Sequence, residues 1–386
     1  MTSNSSRIGV LHLTDTLAAG GLERVAVNLV NALPRERYQP YLGTTRNEGP
    51  LAGLIAADVR RLSLQRRRTL DVAAIQRLAR YVCHHDIRLI HAHGTALFMA
   101  RAAAALCRRV AVIWHDHYGR YLEHERPVWL YRAATMNIGG VIAVNEPLAT
   151  WARRRLNVPA ARVWYVPNFV SPKLPPDPVP ELPGCAVKRI VCVANLRPQK
   201  DHLTLIRAMK IVVQTVPDAQ LLLVGGAGDM AHLLRIQARA QNLHLTNHIS
   251  WLGERHDVEA IQRACQIGVL SSASEGLPLA LIEYGMAGLA VVATNVGQCA
   301  EVLDDGRAGR LVPPGQPEAL AAALIALLQQ PAQARVLGEA LQQRVRAHYS
   351  ADVVMRQISH IYEQVVAPLC GLRLPEQPTD LASLES

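Results

Sequence analysis

Hydrophobic residues in this chain fall into short runs, and between the runs they recur every three or four positions. Short continuous runs bounded by polar or glycine-containing segments read as buried strands; the spaced recurrence reads as helix. Ile8–Leu13 is the first run. A loop containing Gly20 and Gly21 follows, and Leu22, Val25, Leu29 and Leu33 then line one helical face until Pro34 ends it. The same pattern predicts strands over Tyr41–Thr44, Val59–Leu62, Leu89–Ala92, Val110–Trp114, Gly140–Val144 and Arg162–Val166. Helices are predicted over Val72–His84, Ala96–Arg108 and Glu146–Leu156. Apolar strands alternating with helices imply a parallel sheet covered on both faces.

The segment SPKLPPDPVPELPG, residues 171–184, interrupts this alternation. Proline at that density lacks backbone donors and fits neither a helix nor a central strand, so the segment reads as a semi-rigid linker. The alternation then restarts, with strands over Arg189–Ala194, Gln220–Val224, Ile249–Leu252, Ile267–Leu270, Ala290–Thr294 and Gly309–Val312. Helices fit His202–Thr215, Met230–Gln241, Val258–Ala264, Leu279–Ala287, Pro317–Gln329, Ala332–His348 and Asp352–Val366. At 386 residues the chain exceeds one ordinary core and suits two domains. The expected division is a Rossmann-like domain over 1–170, the linker over 171–187 and a second Rossmann-like domain over 188–350. A helix over 351–366 is expected to return to the first domain, and 367–386 to form a loosely ordered tail. The fold class is α/β, with two doubly wound domains that place an interdomain cleft at the carboxyl ends of their strands, where ligands bind.

Charge separates the two halves. The net charge is +10, but residues 1–170 carry 23 Arg, no Lys and 11 acids, a balance of +12, against −2 for the remainder. Clusters at Arg60–Arg61, Arg66–Arg68 and Arg153–Arg155 suit solvated helix faces, or a surface that meets anionic lipid or an anionic acceptor. No nucleic-acid-binding motif accompanies them. Seven scattered cysteines with no CxxC pair fit reduced thiols and a cytoplasmic setting. No signal peptide and no apolar run of spanning length is visible, so peripheral attachment at the inner face of the cell membrane is the form of membrane association expected.

Candidate chemistry concentrates in SASEGLPLALIEYGMAGLAVVAT, residues 271–294. Proline at a first helical position is favourable, and a helix start leaves backbone N–H groups open to a diphosphate. Glu275 before that start and Glu283 inside it would lie on the order of 10 Å apart, a span suited to the two ends of a nucleotide sugar. Ordinary solvated acids on a helix are the alternative. His91-Ala-His93 and His115-Asp-His117 sit at predicted strand ends, where paired imidazoles raise a metal hydrolase as a rival reading, although no carboxylate set accompanies them. Lys200 stands out because only four lysines occur among 41 basic residues.

Residues 271–314, with the E-x7-E pair and the run ATNVGQCAEVLDDGRAGRLVPPG, resemble the retaining GT-B glycosyltransferases of family 4. GGLERVAVNLVNAL (20–33), HAHG (91–94), WHD (114–116), VPNFVS (166–171), LRPQKDHLTLIRA (196–208), LLLVGGAGD (221–229) and WLGERHDV (251–258) match the family pattern in order. The resemblance implies two Rossmann-like domains and hexosyl transfer from a nucleotide-diphosphate sugar, UDP- or GDP-linked, with no cofactor and no metal. It implies that Glu283 binds the donor ribose and Glu275 the donor sugar. Backbone at Gly276 and Leu277 would contact sugar and phosphates, Arg197 and Lys200 would neutralise the diphosphate, and Gly20 and Gly21 would approach the donor. His115 is assigned to the transferred sugar and His93 to the acceptor side. Base recognition would use backbone near Gly253–Arg255. The family commonly places arginine where this chain has Asn195, so Arg197 is expected to take over that task. A lipid-linked glycan acceptor, in surface polysaccharide or lipopolysaccharide assembly, fits the basic first domain. A transferase or phosphorylase acting on a small soluble acceptor, and a non-catalytic nucleotide-sugar-binding protein, remain alternatives.

Overall fold

The computed structural model describes residues 7–18, 20–107, 109–118, 126–170 and 177–370. Residues 171–176 of the expected linker and 371–386 of the expected tail lie outside them. The chain divides into two compact units. Unit 1 draws on residues up to His117, on those through Val166, and on Met355 onward; unit 2 is built on Pro167–Val354.

Unit 1 carries seven strands: β1 (Ile8–Thr16), β2 (Tyr38–Asn47), β3 (Arg60–Ser63), β4 (Ile87–His93), β5 (Ala111–Asp116), β6 (Gly140–Ala143) and β7 (Val163–Tyr165). Their order in the sheet is β3-β2-β1-β4-β5-β6-β7 and each neighbouring pair is parallel. The central strands are buried along nearly their whole length, as their continuous apolar runs require. The edge strand β3 differs: Arg60 and Arg61 are exposed, and charged side chains on an edge discourage pairing with another chain.

Unit 2 carries β8 (Arg189–Val193), β9 (Gln220–Val224), β10 (Ile249–Gly253), β11 (Ile267–Leu270), β12 (Ala290–Thr294) and β13 (Arg310–Val312), ordered β10-β9-β8-β11-β12-β13 and likewise parallel. Alternate residues feed two cores. Ile190, Cys192, Leu221 and Leu223 pack toward the helices His202–Thr215 and Pro317–Gln329, while Val191 and Leu222 pack toward Leu279–Met286. Tyr284 on that last helix is fully buried. Its hydroxyl accepts from Val193 N at 2.7 Å and donates to Val269 O at 3.3 Å, pinning the helix to β8 and β11. Gly268 makes room for the ring, since a Cβ there would stand 2.6 Å from it.

Both sheets reverse their winding beside their first strand, between β1 and β4 and between β8 and β11. Such switch points open a crevice at the carboxyl ends of the strands. Lys200 and Glu275 follow β8 and β11, and His93 ends β4, beside these two points.

Some boundaries differ from expectation. The helix expected over Ala96–Arg108 is Leu97–Ala104, preceded by a 3-10 turn over Gly94–Ala96. The last helix runs Ala351–Cys370, beyond the expected Val366; Pro368 falls in its final turns, where losing one N–H donor interrupts little. A helix over Val128–Thr135 was not expected.

Candidate active site

In unit 2, β8 ends in a loop that carries Asn195, Arg197 and Lys200, and β11 ends in the loop that carries Glu275. The two loops are stitched by backbone: Ala273 N donates to Gln199 O at 2.8 Å and Ser271 Oγ to Lys200 O at 2.9 Å. Lys200 therefore reaches Glu275, Nζ to Oε1 at 2.5 Å, and Ser272 Oγ donates to the same oxygen at 2.5 Å. The Glu275 side chain is 8% exposed and that of Lys200 20%, so the pair is largely removed from water. A charge pair so placed holds its geometry more firmly than a solvated one.

A third loop, after β12, braces Glu275 from behind. Gln298 N donates to Gly276 O at 3.0 Å, and Thr294 Oγ1 to Ser272 O at 2.6 Å. Gly297 has φ +53°, and a Cβ on it would stand 2.2 Å from Glu275 O and 2.6 Å from Gly276 O. Only glycine suits that left-handed, crowded position. Asn168 Nδ2 reaches Leu277 O at 3.5 Å from the first residues of the same unit. Sequence reading did not single out Ser272, Thr294, Gly297 or Asn168.

The helix that follows is Leu279–Met286, with Pro278 at its N-cap rather than at its first helical position, and no side chain caps it. Leu281 N donates back to Pro278 O at 3.1 Å, and the helix start is otherwise without a side-chain cap. Glu283 lies within the helix, half-buried, with Gln262 Nε2 at 3.5 Å from Oε2. Arg197 is exposed at the head of the Pro198–Lys200 turn and makes none of the contacts that hold Glu275. Asn195, where the family commonly has arginine, accepts from Gly226 N at 3.0 Å and so ties the β8 loop to that after β9. Near Gly253, Arg255 pairs with Asp257 at 2.7 and 2.6 Å; the pairing raises the arginine pKa and lowers that of the acid.

In unit 1, Gly20 is the N-cap of the helix Gly21–Ala32. Glu23 folds back over it, with Thr16 Oγ1 donating to Glu23 Oε1 at 3.0 Å; a Cβ on Gly20 would meet Glu23 Oε2 at 2.2 Å. A Cβ on Gly21 would meet nothing within 4 Å. Only the flexible end of the Glu23 side chain crowds Gly20, and Gly21 faces open space.

His93 and His115 are brought together, but in company that sequence did not reveal. His12 on β1 lies opposite His91 on β4, and His93 lies opposite His115 on β5. His12, His91, His93 and His115 are at most 2% exposed. His117 closes on His93, and Tyr362, from the last helix, closes on His91 and His12. Burial lowers the pKa of all five rings, that of His12 to about 3, so they are neutral at ordinary pH. Two triads, His12/His91/His93 and His93/His115/His117, bring one nitrogen each within 4.8 Å of one another, near enough for a metal. The contacts between their rings, at 3.0–3.1 Å, also have the length of N–H···N hydrogen bonds. Asp116, between the two histidines, has a different task. It takes two bonds from Arg126, at 2.8 and 2.7 Å, and the guanidinium carbon stands 3.9 Å from the centre of the Trp151 ring.

Comparison with known proteins bears on what these sites serve. The family profile described as Glycosyl transferases group 1 matches residues 186–344, and that of Glycosyltransferase Family 4 matches 19–174. A phosphatidyl-myo-inositol mannosyltransferase of Mycolicibacterium smegmatis is 30% identical over 303 residues, 76% of this chain and 75% of that protein. The UDP-Gal:alpha-D-GlcNAc-diphosphoundecaprenol alpha-1,3-galactosyltransferase of Escherichia coli is 24% identical over 318 residues, 77% and 81% of the two chains. The crystal structure of Anabaena HepE in complex with UDP and glucose superposes with a TM-score of 0.77 at 20% identity, covering 92% of this chain and 100% of that one, a likeness of fold. Two profiles in succession and 30% identity to the mannosyltransferase place this chain in the group 1, family 4 glycosyltransferases, nucleotide-sugar enzymes built on the two-domain GT-B fold.

Proposed function

We propose that this enzyme transfers a hexosyl unit from a UDP- or GDP-linked sugar to a lipid-linked glycan, with the anomeric configuration retained. The observation that carries the reading is the Lys200–Glu275 pair at the switch point of unit 2, beside an uncapped helix start. Lys200 and Ser272 engage Oε1 of Glu275, which leaves the second oxygen to accept from a donor-sugar hydroxyl. Glu283 accepts from the ribose. The first-turn N–H groups after Pro278, with backbone at Gly276 and Leu277, take the phosphates. As the bond from the anomeric carbon to the diphosphate breaks, negative charge gathers on the leaving oxygens, and Lys200 with Arg197 stabilises it most at that moment. The acceptor oxygen joins the same face of the sugar, and its proton passes to the departing phosphate. With the charge met in this way, no metal and no further cofactor is required. By the family resemblance, Gly20 and Gly21 are assigned to the donor, neutral His115 to a sugar hydroxyl and His93 to the acceptor.

Support for a lipid-linked acceptor comes from the relatives named above, whose names specify a diphosphoundecaprenol and a phosphatidylinositol. It also comes from surface chemistry in unit 1. Arg153–Arg155 end one helix, and Trp129, 74% exposed, sits on another beside Arg132. Basic groups with an exposed aromatic suit an anionic membrane surface at the cytoplasmic face. No single helix among the described residues is long and apolar enough to cross a membrane. The test is product analysis with candidate nucleotide sugars and polyprenyl-diphosphate glycans. A product with inverted configuration, turnover abolished by chelator and restored by a divalent ion, or transfer confined to small soluble acceptors would each refute the corresponding part.

A further inference from the structure

The imidazoles of unit 1 are joined end to end. His117 Nε2 meets His93 Nδ1 at 3.1 Å, and His93 Nε2 meets His12 Nδ1 at 3.1 Å. His12 Nε2 lies 3.3 Å from the Tyr362 hydroxyl, which lies 2.5 Å from His91 Nδ1; His91 Nε2 then meets His115 Nδ1 at 3.0 Å. The chain ends at His115 Nε2, which is buried and has no partner among the described residues. None of the five links involves a carboxylate that would hold an imidazolium.

Counting protons constrains this chain. Six neutral groups bring one proton each, and five links need one proton each, so a single proton remains for one of the two ends. If it sits on His115 Nε2, every link is satisfied only when each ring is protonated at Nε2 and Tyr362 donates to His91. If it sits on His117 Nδ1, every ring is protonated at Nδ1 and Tyr362 donates to His12. Reversing one ring alone sets two bare nitrogens, or two N–H groups, face to face in a dry interior, which burial disfavours.

We propose that these six side chains keep one collective proton order, in which all five imidazoles share a tautomer and His115 Nε2 and His117 Nδ1 hold opposite roles. Tyr362 is the junction of that order and so a positioning residue for His115. Its consequence for catalysis rests on the reading above, in which His115 faces the transferred sugar. Tyr362, on the last helix, then governs whether that sugar hydroxyl meets a donor or an acceptor.

The test is long-range proton–nitrogen correlation on the full-length ligand-free protein labelled with nitrogen-15 histidine, near neutral pH, with single His→Gln variants for assignment. Protonated and bare ring nitrogens separate clearly in such spectra. The five rings are expected to report one shared tautomer. Tyr362→Phe keeps the ring and removes the junction, so the His91–His115 pair and the His12–His93–His117 trio should lose that agreement. Turnover should fall about tenfold with the donor KM little changed. Mixed tautomers in the native protein, an imidazolium among the five, or a stoichiometric metal in their midst would overturn the proposal. So would Tyr362→Phe spectra in which the five rings still agree. Nucleotide-sugar binding, read separately by titration, can fail without touching this result, and the reverse also holds.

Discussion

Acid should destabilise unit 1 well above the pH at which carboxylates protonate. The perturbation is a shift from about pH 7.5 to about pH 6.0, where an exposed histidine of pKa ~6.5 takes up a proton. In the native state burial lowers the pKa values of His12, His91, His93, His115 and His117, so they bind none over this range. The unfolded state then holds more protons, and stability falls as pH falls; the contribution is complete above ~6.5 and drains below it. Each such ring loses about 0.8 kcal/mol over the interval, and five lose about 4 kcal/mol. For a domain of this size that corresponds to a fall in Tm of about 8–16 °C. Tryptophan fluorescence is the right probe, because Trp114, Trp129, Trp151 and Trp164 lie in unit 1 and only Trp251 in unit 2. Urea titrations at several pH values yield the proton uptake as the slope of stability against pH. It should approach five protons on the acid side of the range, and about four in His12→Gln. His202, whose pKa burial lowers to about 4, adds one proton to unit 2. Equal unfolding midpoints at the two pH values, or greater stability at the lower one, would refute the neutral, buried imidazoles.

Two further substitutions probe the donor loops. Lys200→Ala removes the cation paired with Glu275 and should cost about a hundredfold or more in kcat with folding intact, in line with loss of a preplaced charge; near-normal turnover removes Lys200 from the mechanism. Gly297→Ala forces a Cβ against Glu275 O and Gly276 O at a left-handed backbone position, and should cost at least ~1 kcal/mol of stability. Turnover should drop further than stability does, because the displaced segment carries Glu275; unchanged kinetics in a folded variant would contradict the bracing role.

Much of the fold could be read from the chain because its signals are local. Apolar runs of strand length marked every strand, and the proline-dense segment lies near the division between units. The helix Val128–Thr135 escaped because Val-Trp-Leu-Tyr-Arg-Ala-Ala-Thr has neither a capping residue nor clear periodicity, and tertiary packing around Tyr131 sets it. At the candidate site, the motif singled out Glu275, Glu283 and Lys200, but not the 2.5 Å contact between Lys200 and Glu275, since 75 positions separate them. Gly297 was silent for the same reason: its crowding comes from Glu275 and Gly276, on an earlier loop. The two H-x-H pairs showed themselves at strand ends, whereas His12 hid within an apolar run and Tyr362 lies 271 positions from the histidine it bonds. Pairing of parallel strands brings such residues together, and sequence spacing carries no trace of it.

The central claim is that the loops after β8 and β11, with the helix that begins at Leu279, hold a nucleotide diphosphate. Calorimetric titration of UDP, GDP and ADP into the wild type and Glu283→Ala tests it most directly. One nucleotide should bind with one-to-one stoichiometry in the absence of metal, and Glu283→Ala should weaken it by about ten- to a hundredfold, the worth of a charged hydrogen bond. Failure of all three to bind, or equal affinity in the variant, would contradict the account.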